Sequence, residues 1–431
     1  MTADANLRHL EPVAAANALH KTVPFLPLSY DSHNSDASAL ALVKAIEPGW
    51  VEEDGSALKP GVKIVRCTDG ITNTLLKIIN THNGTSSDEE ADKMAFLLRA
   101  YGNGTDVIID REREAENHEL LMRHGLAPEL LARFTNGMLY RYIRGSVTHP
   151  EDLRRPEIFT AVAKRLAEWH ATVPCITAKG TSDSDASEAD EKQRKILKAA
   201  SGKPIPNMWT VMQKWLLALP TKTEAQRKNQ ETLQSEFDWL RMLLGDRPSL
   251  GENGLVFAHC DLLHGNIIVE PKEVTEASGS GDDLTVCFID YEYATPSPVA
   301  FDICNHFAEW GGFECDYSVM PSRTQRLSFI QSYIRAYFAK KNGSNAPVDE
   351  AMLEVESHKL FVEVDIFRGI PGFYWGIWSQ IQAVISEIDF DYASYAEVRL
   401  GEYWAWKAEF QGTRAADAEL CLREKRWASE E

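Results

Sequence analysis

The chain has 431 residues, 44% of them hydrophobic, which is long for a single core and suits two lobes. Lys and Arg number 45 against 64 Asp and Glu, a net charge of −19 that argues against nucleic acid or an anionic membrane as partner. The seven cysteines (67, 175, 260, 287, 304, 315 and 421) are scattered and include no Cys-x-x-Cys pair. Neither a disulfide framework nor a zinc site is therefore expected, and a reducing compartment fits.

Residues 1–60 read as a partly ordered lead-in, and Met1 to His20 lacks the long apolar core of a secretory signal. Strand patterns begin at Val62–Cys67 and Thr74–Ile79. The polar tract from Thr81 to Lys93 reads as a loop, and Met94 to Ala100 as the third strand. Asp110 is placed to cap a helix running to His124, with Gly125 closing it and Pro128 beyond. Leu130–Phe134 and Met138–Ile143 flank Asn136-Gly137, a hairpin signal. This order makes residues 61–143 a small, β-rich lobe with one main helix, and 144–431 a larger, mostly helical lobe.

In the second lobe Ile158, Val162, Leu166 and Trp169 recur at helical spacing. Residues 178–192 are acidic and poor in apolar side chains, which predicts a flexible insertion. Helices are expected near 206–218, 224–244, 322–341 and 349–368, and 276–283 reads as a long hairpin tip. The most apolar stretch, Ile370 to Ile385, is interrupted by Gln380 and Gln382 and is too short to cross a bilayer. No membrane insertion is expected, and the cytoplasm is the expected location.

The densest chemistry lies in Phe257-Ala-His-Cys-Asp261-Leu-Leu-His-Gly-Asn266-Ile-Ile-Val269, followed by Phe288-Ile-Asp290-Tyr-Glu292. The runs 254–258, 266–270 and 284–289 read as strands, which puts the polar residues in loops and at strand ends. Phosphoryl transfer to an alcohol asks for these residue types. One carboxylate accepts the hydroxyl proton, while an amide oxygen and a second carboxylate hold Mg²⁺ on the phosphates. Asp261 is the candidate base, and Asn266 and Asp290 are the candidate metal ligands. His259 is assigned to supporting the loop.

His-Cys-Asp-Leu-Leu-His-Gly-Asn resembles the phosphotransferase loop of the choline/ethanolamine kinases, a branch of the protein-kinase-like fold. Phe288 to Ala294 and Ala300 to Trp310 are similar to the second signature of that family. Thr68 to Asn73 is similar to its nucleotide loop, Leu98 to Gly102 to its next strand, and Phe373 to Gln382 to its substrate-pocket helix. The resemblance spans about residues 60–405 and implies an α+β fold of two lobes. It implies ATP and Mg²⁺ as cofactors and a small amino alcohol as acceptor. Leu262-Leu263 and Asp69-Gly-Ile-Thr-Asn73 lean toward the ethanolamine branch. Choline, or both alcohols, is the alternative acceptor. A non-catalytic nucleotide-binding scaffold and an antibiotic phosphotransferase are the more distant readings, and a homodimer is compatible with the family.

On this resemblance Gly70, Thr72 and Asn73 would cradle the nucleotide phosphates, with Arg99 and its partner acid Glu114 behind them. Tyr142 falls in the segment expected to meet adenine. Glu309, Tyr317, Trp375, Trp378 and Tyr395 would form the amine pocket, where aromatic faces attract an ammonium. Asp302 and Asn305 would brace the catalytic loop, and Cys260 stands where the family usually has Asn.

Overall fold

The computed structural model describes residues 23–67, 73–81, 88–102, 108–175, 191–200, 202–271, 284–343, 349–386, 388–415 and 419–431. Gly70, Thr72, most of the acidic insertion and the hairpin tip at 276–283 lie outside these residues. Two compact units emerge, one of Met1–Gly102 and His118–Arg144, the other of Asn103–Asn117 and Gly145–Glu431.

The smaller unit carries strands β1 (Phe25–Leu26), β2 (Val62–Cys67), β3 (Asn73–Asn80), β4 (Phe96–Tyr101), β5 (Leu130–Phe134) and β6 (Gly137–Arg141). They form one sheet in the order β1-β5-β6-β4-β3-β2, with β1 parallel to β5 and the other pairs antiparallel. The β5–β6 turn is the Asn136-Gly137 hairpin, and the Asn136 side chain ties it to the backbone of Tyr30 through two bonds of 2.9 and 2.8 Å. Inside the lead-in, α1 (Ser35–Ile46) buries Ala39, Leu42 and Val43. These join Trp50, Ile78, Phe96, Leu98 and Leu139 in one apolar cluster. Three- and four-residue spacing on one face explains this helix.

Two expectations need correction. The tract read as a loop contains α2 (Asp88–Met94), so the third strand starts at Phe96 rather than Met94. Acidic residues open α2 and Lys93 lies in its last turn, which complements the helix dipole. Asp92 is also fixed by Lys77 at 2.6 Å.

Next comes α3 (Arg111–Arg123), whose first turns belong to the larger unit; Arg113 N donates to Asp110 at 3.2 Å, as a cap there requires. Gly125 follows with φ +70°.

In the larger unit the order is β7 (Ser146–Val147), α4 (Pro156–Thr172), α5 (Glu191–Lys198), α6 (Met208–Ala218) and α7 (Glu224–Leu244). Four short strands follow: β8 (Val256–Ala258), β9 (Ile267–Val269), β10 (Val286–Phe288) and β11 (Thr295–Ser297). The remaining helices are α8 (Val299–Ala308), α9 (Arg323–Asn342), α10 (Glu350–Phe367), α11 (Ile370–Ile385), α12 (Tyr392–Phe410) and α13 (Leu422–Ala428). Strand β9 pairs with β7 and β10, and β8 with β11. Buried Trp169 of α4 touches Phe257, Phe288 and Tyr291, and its indole N–H donates to the Phe257 carbonyl at 2.7 Å. That contact places the catalytic strands against a helical core. Helices α11 and α12 approach closely, because a Cβ added at Gly372 would lie 2.5 Å from the Arg399 carbonyl and one at Gly376 2.6 Å from Leu400. Among the described residues no helix is long and apolar enough to cross a membrane.

Candidate active site

Asp261 sits in the loop between β8 and β9, and helix α8 holds that loop by its backbone. Asp302 accepts from the N–H of His259 at 3.0 Å and of Cys260 at 2.7 Å, and His170 Nε2 meets it at 2.9 Å. Burial pushes the Asp302 carboxyl up, but the His170 hydrogen bond and charge and the Cys260 amide hold it below its ordinary value. Asn305 donates to the Cys260 carbonyl at 2.8 Å, and His306 Nδ1 bonds the Leu262 carbonyl at 2.8 Å. The expected bracing roles of Asp302 and Asn305 thus correspond to direct bonds, and His306 adds a third. His259 supports from the other side, bonding the Ile289 carbonyl through Nε2 at 3.0 Å. Cys260 and Asp290 both take φ of +64°, a conformation that Cys rarely adopts.

Asn266 donates through Nδ2 to the Asp261 carbonyl at 2.8 Å and to its carboxylate at 3.4 Å, so Oδ1 is the atom with which it could meet a metal ion. Asp290 falls just after β10 and joins Glu114 and Glu292 in a set of three carboxylates whose oxygens lie within 4.8 Å of one another. Arg111 spans two of them, reaching Glu114 at 2.8 Å and Glu292 at 3.2 Å. An all-oxygen donor set of this size fits a hard divalent cation such as Mg²⁺. Sequence reasoning missed Glu292 as a member, though its position two residues after Asp290 was the available signal. Burial raises the Asp261 carboxyl well above its usual range, and the charges of Asp290, Glu309 and Glu292 raise it further.

The expected amine-pocket residues all lie in this unit. Trp375 and Trp378 meet edge to face at 5.5 Å, and their N–H groups are committed to Asn305 and Tyr293, each at 2.8 Å. Their rings therefore offer faces rather than donors. Tyr293 also stands edge-on to Trp375 at 5.5 Å, and Tyr392 to Trp378 at 5.7 Å. Tyr395 contacts Phe313 and Phe390. Tyr293, Phe313, Phe390 and Tyr392 were not foreseen, since they come from distant places in the chain with no pattern that joins them. Tyr317 turns its hydroxyl to Glu402 at 2.9 Å. Glu309 is buried at the end of α8, with Arg399 Nη2 3.4 Å away and no hydrogen bond to Oε1. Burial raises its carboxyl and the Arg399 charge opposes that shift.

The nucleotide candidates divide by unit. Asn73 opens β3, paired with Tyr101, and Arg99 is buried in β4 between Leu75 and Met138 in register. Tyr142 follows β6, its N–H bonded to the Ala95 carbonyl at 3.0 Å and Lys77 Nζ 3.7 Å from its ring centre. These belong to the smaller unit, whereas Glu114 belongs to the larger.

A β-rich unit and a helical unit, the latter carrying an Asp–Asn loop and a carboxylate set, define a protein-kinase-like phosphotransferase. The sequence profile of the choline/ethanolamine kinase family matches residues 64–404, and the chain belongs to that family. It is 32% identical over 395 residues to a probable ethanolamine kinase of Nematostella vectensis, covering 90% of this chain and 98% of that protein. It is 34% identical over 382 residues to ethanolamine kinase 1 of Mus musculus, covering 86% and 89%. The fold is similar to that of Plasmodium vivax ethanolamine kinase, with a TM-score of 0.62 and 23% identity over 93% of this chain and 95% of that one. Choline kinase from Cryptosporidium parvum gives 0.57 and 20% identity over 87% and 96%.

Proposed function

We propose that this chain transfers the γ-phosphoryl group of Mg·ATP to the hydroxyl of ethanolamine, giving phosphoethanolamine and ADP, the entry step toward phosphatidylethanolamine. The ethanolamine kinases it resembles across most of their length support the acceptor. The observation in the structure that carries the reading is the loop of Asp261 and Asn266, braced by Asp302, Asn305 and His306, in the same unit as the carboxylate set of Glu114, Asp290 and Glu292.

In this reading Asp261 orients the acceptor hydroxyl and takes its proton as the new O–P bond forms and the bond to ADP breaks. Glu309 accepts hydrogen bonds from the primary ammonium, while Trp375, Trp378, Tyr317 and Tyr395 surround it with apolar and aromatic faces. Asp290 and Asn266, with Glu292 and Glu114 beside them, would hold Mg²⁺, which neutralises charge on the phosphates. Asn73, Arg99 and Tyr142, with Gly70 and Thr72, bind the nucleotide. Its place of action is the cytoplasm.

A trimethylammonium needs only faces and volume, so aromatic walls alone do not separate choline from ethanolamine. The buried Glu309 carboxylate, whose counterion Arg399 is shared with Glu402, is the feature that favours the primary amine. The expected kcat/KM for ethanolamine exceeds that for choline by at least about tenfold, equivalent to roughly 1.4 kcal/mol. Steady-state rates with each alcohol at fixed Mg·ATP decide this, and equal or reversed values would make choline the acceptor.

A further inference from the structure

Behind Glu309 runs a line of buried charges of alternating sign. Arg399 lies 3.4 Å from Glu309 and 3.5 Å from Glu402. Glu402 in turn lies 3.8 Å from Arg423, a residue of the last helix. Arg423 continues to Glu424 at 3.4 Å, and Glu424 to Arg368 at 3.0 Å. Helix α13 is firmly seated: Trp427 donates to Asp365 at 2.6 Å, and Arg326 stacks on its ring at 3.8 Å.

This line is poorly built for stability. Its contacts nearest the pocket run from 3.4 to 3.8 Å, beyond good charge-assisted bonds. Arg399 Nε and Nη2, Glu402 Oε2, Arg423 Nε and Glu309 Oε1 are buried without a hydrogen bond. Hydrophobic residues of similar size would serve a core as well or better. What the line does supply is a fixed distribution of charge at the amine pocket. Arg399 is a counterion shared by two carboxylates, so Glu309 is only partly neutralised.

We propose that Glu402 is a positioning residue for the acceptor amine: it draws the Arg399 guanidinium to itself, leaves Glu309 with charge for the ammonium, and is itself restrained by Arg423 from the C-terminal helix. The proposal rests on the reading of Glu309 as the amine contact. Tyr317, whose hydroxyl donates to Glu402 Oε1 at 2.9 Å, fixes the other oxygen of the same carboxylate. The Glu402 charge also reaches Glu309, where burial acts first, Arg399 second and Glu402 third on the carboxyl.

The two ends of the line act with opposite sign. In Glu402→Gln, Arg399 falls wholly to Glu309, and the ethanolamine KM should rise about tenfold with the ATP KM and kcat within about threefold. In Arg423→Gln, Glu402 holds Arg399 more strongly, and the ethanolamine KM should fall by about threefold. Packing damage would raise KM in both. Glu402→Asp keeps the charge and should restore KM to within about threefold of the parent. Ethylene glycol, which lacks the ammonium, should show the same low kcat/KM with the parent and all three variants. An unchanged KM in Glu402→Gln, a rise in Arg423→Gln, or an equal loss with the neutral diol overturns the proposal. So does failure of both variants to fold, which would mark the line as structural. Glu309→Gln separates the two levels: if it leaves the ethanolamine KM unchanged, the reading of Glu309 itself fails.

Discussion

The loop around Asp261 and the candidate amine pocket share a helical unit but are held differently. Around Asp261, side chains of α8 take the backbone N–H or C=O groups of His259, Cys260 and Leu262 in bonds of 2.7–3.0 Å. Around Glu309 the charged contacts are longer, 3.4 Å to Arg399 and 3.5 Å from Arg399 to Glu402, while the Trp375 and Trp378 rings, 5.5 Å apart between centres, are tied by N–H bonds of 2.8 Å to Asn305 and Tyr293. Short bonds to a backbone fix atoms to a fraction of an ångström, which in-line phosphoryl transfer requires. Long ion pairs and aromatic faces fix charge and shape, which suffices for recognising a small cation. A change in the loop should therefore appear in kcat and one in the pocket in KM.

The strongest way to break this contrast is Asp302→Ala. The substitution leaves two amide N–H groups and His170 without their buried acceptor, each at about 1–3 kcal/mol. The expected result is a fall in kcat of roughly 10²-fold or more, with the ethanolamine KM within about threefold and stability lower by at least about 3 kcal/mol. Denaturant titration and steady-state kinetics check it. A variant that lost acceptor affinity but kept kcat would show that the loop and the pocket are not separable.

Acid sharpens the same contrast from the stability side. His306 Nδ1 faces a carbonyl and Nε2 receives the Trp310 N–H at 3.3 Å, so the ring must be neutral with its proton on Nδ1. Burial lowers its pKa to about 4. The unfolded chain takes up this proton near pH 6.5 and the folded one does not, so the contribution is complete above 6.5 and is lost as pH falls toward 4. From this residue alone stability should drop by about 2 kcal/mol between pH 7 and pH 5. Melting curves of the parent and His306→Gln across that range test it. The drop should shrink in the variant, and an unchanged pH slope would remove His306 from the account. His118 in the smaller unit, also lowered to about 4, would keep part of the slope in both proteins.

The two regions also differed in how much of them could be read from sequence. Asp261, Asn266 and Asp290 lie within thirty residues, in loops and turns beside short strands whose apolar runs announce them, so residue type and spacing were enough to nominate them. The hairpin, the α3 cap and helices α6, α7, α9 and α10 followed from local pattern in the same way. The candidate pocket joins Tyr293, Phe313 and the α12 region (Phe390, Tyr392, Arg399 and Glu402) from distant parts of the chain, and no local signal joins them. Helix α12 went unread because its buried face carries Arg399 and Glu402, which breaks the apolar stripe that periodicity seeks. Helix α2 was missed because six of its seven residues are charged or small and resemble a loop until Lys77 of β3 is in place.

The smallest predicted effect concerns Cys260, where the loop keeps a residue unsuited to its backbone. The position is fully buried at φ +64°, with Sγ 3.4 Å from the Ser297 hydroxyl and 3.8 Å from the Thr295 carbonyl. Asn enters this conformation several-fold more readily than most residues. Its amide could also use both neighbours, accepting from Ser297 and donating to Thr295. The extra atom must fit a full core, which offsets part of the gain. Cys260→Asn should therefore keep kcat within about twofold and change stability by less than about 1 kcal/mol, with a slight increase expected. Cys260→Val, which is β-branched and offers those neighbours nothing, should lose about 1–3 kcal/mol. Because α8 holds the loop by its backbone, both variants should leave the ethanolamine KM unchanged. A less stable Asn than Val variant would show that space, rather than the left-handed backbone, governs this position.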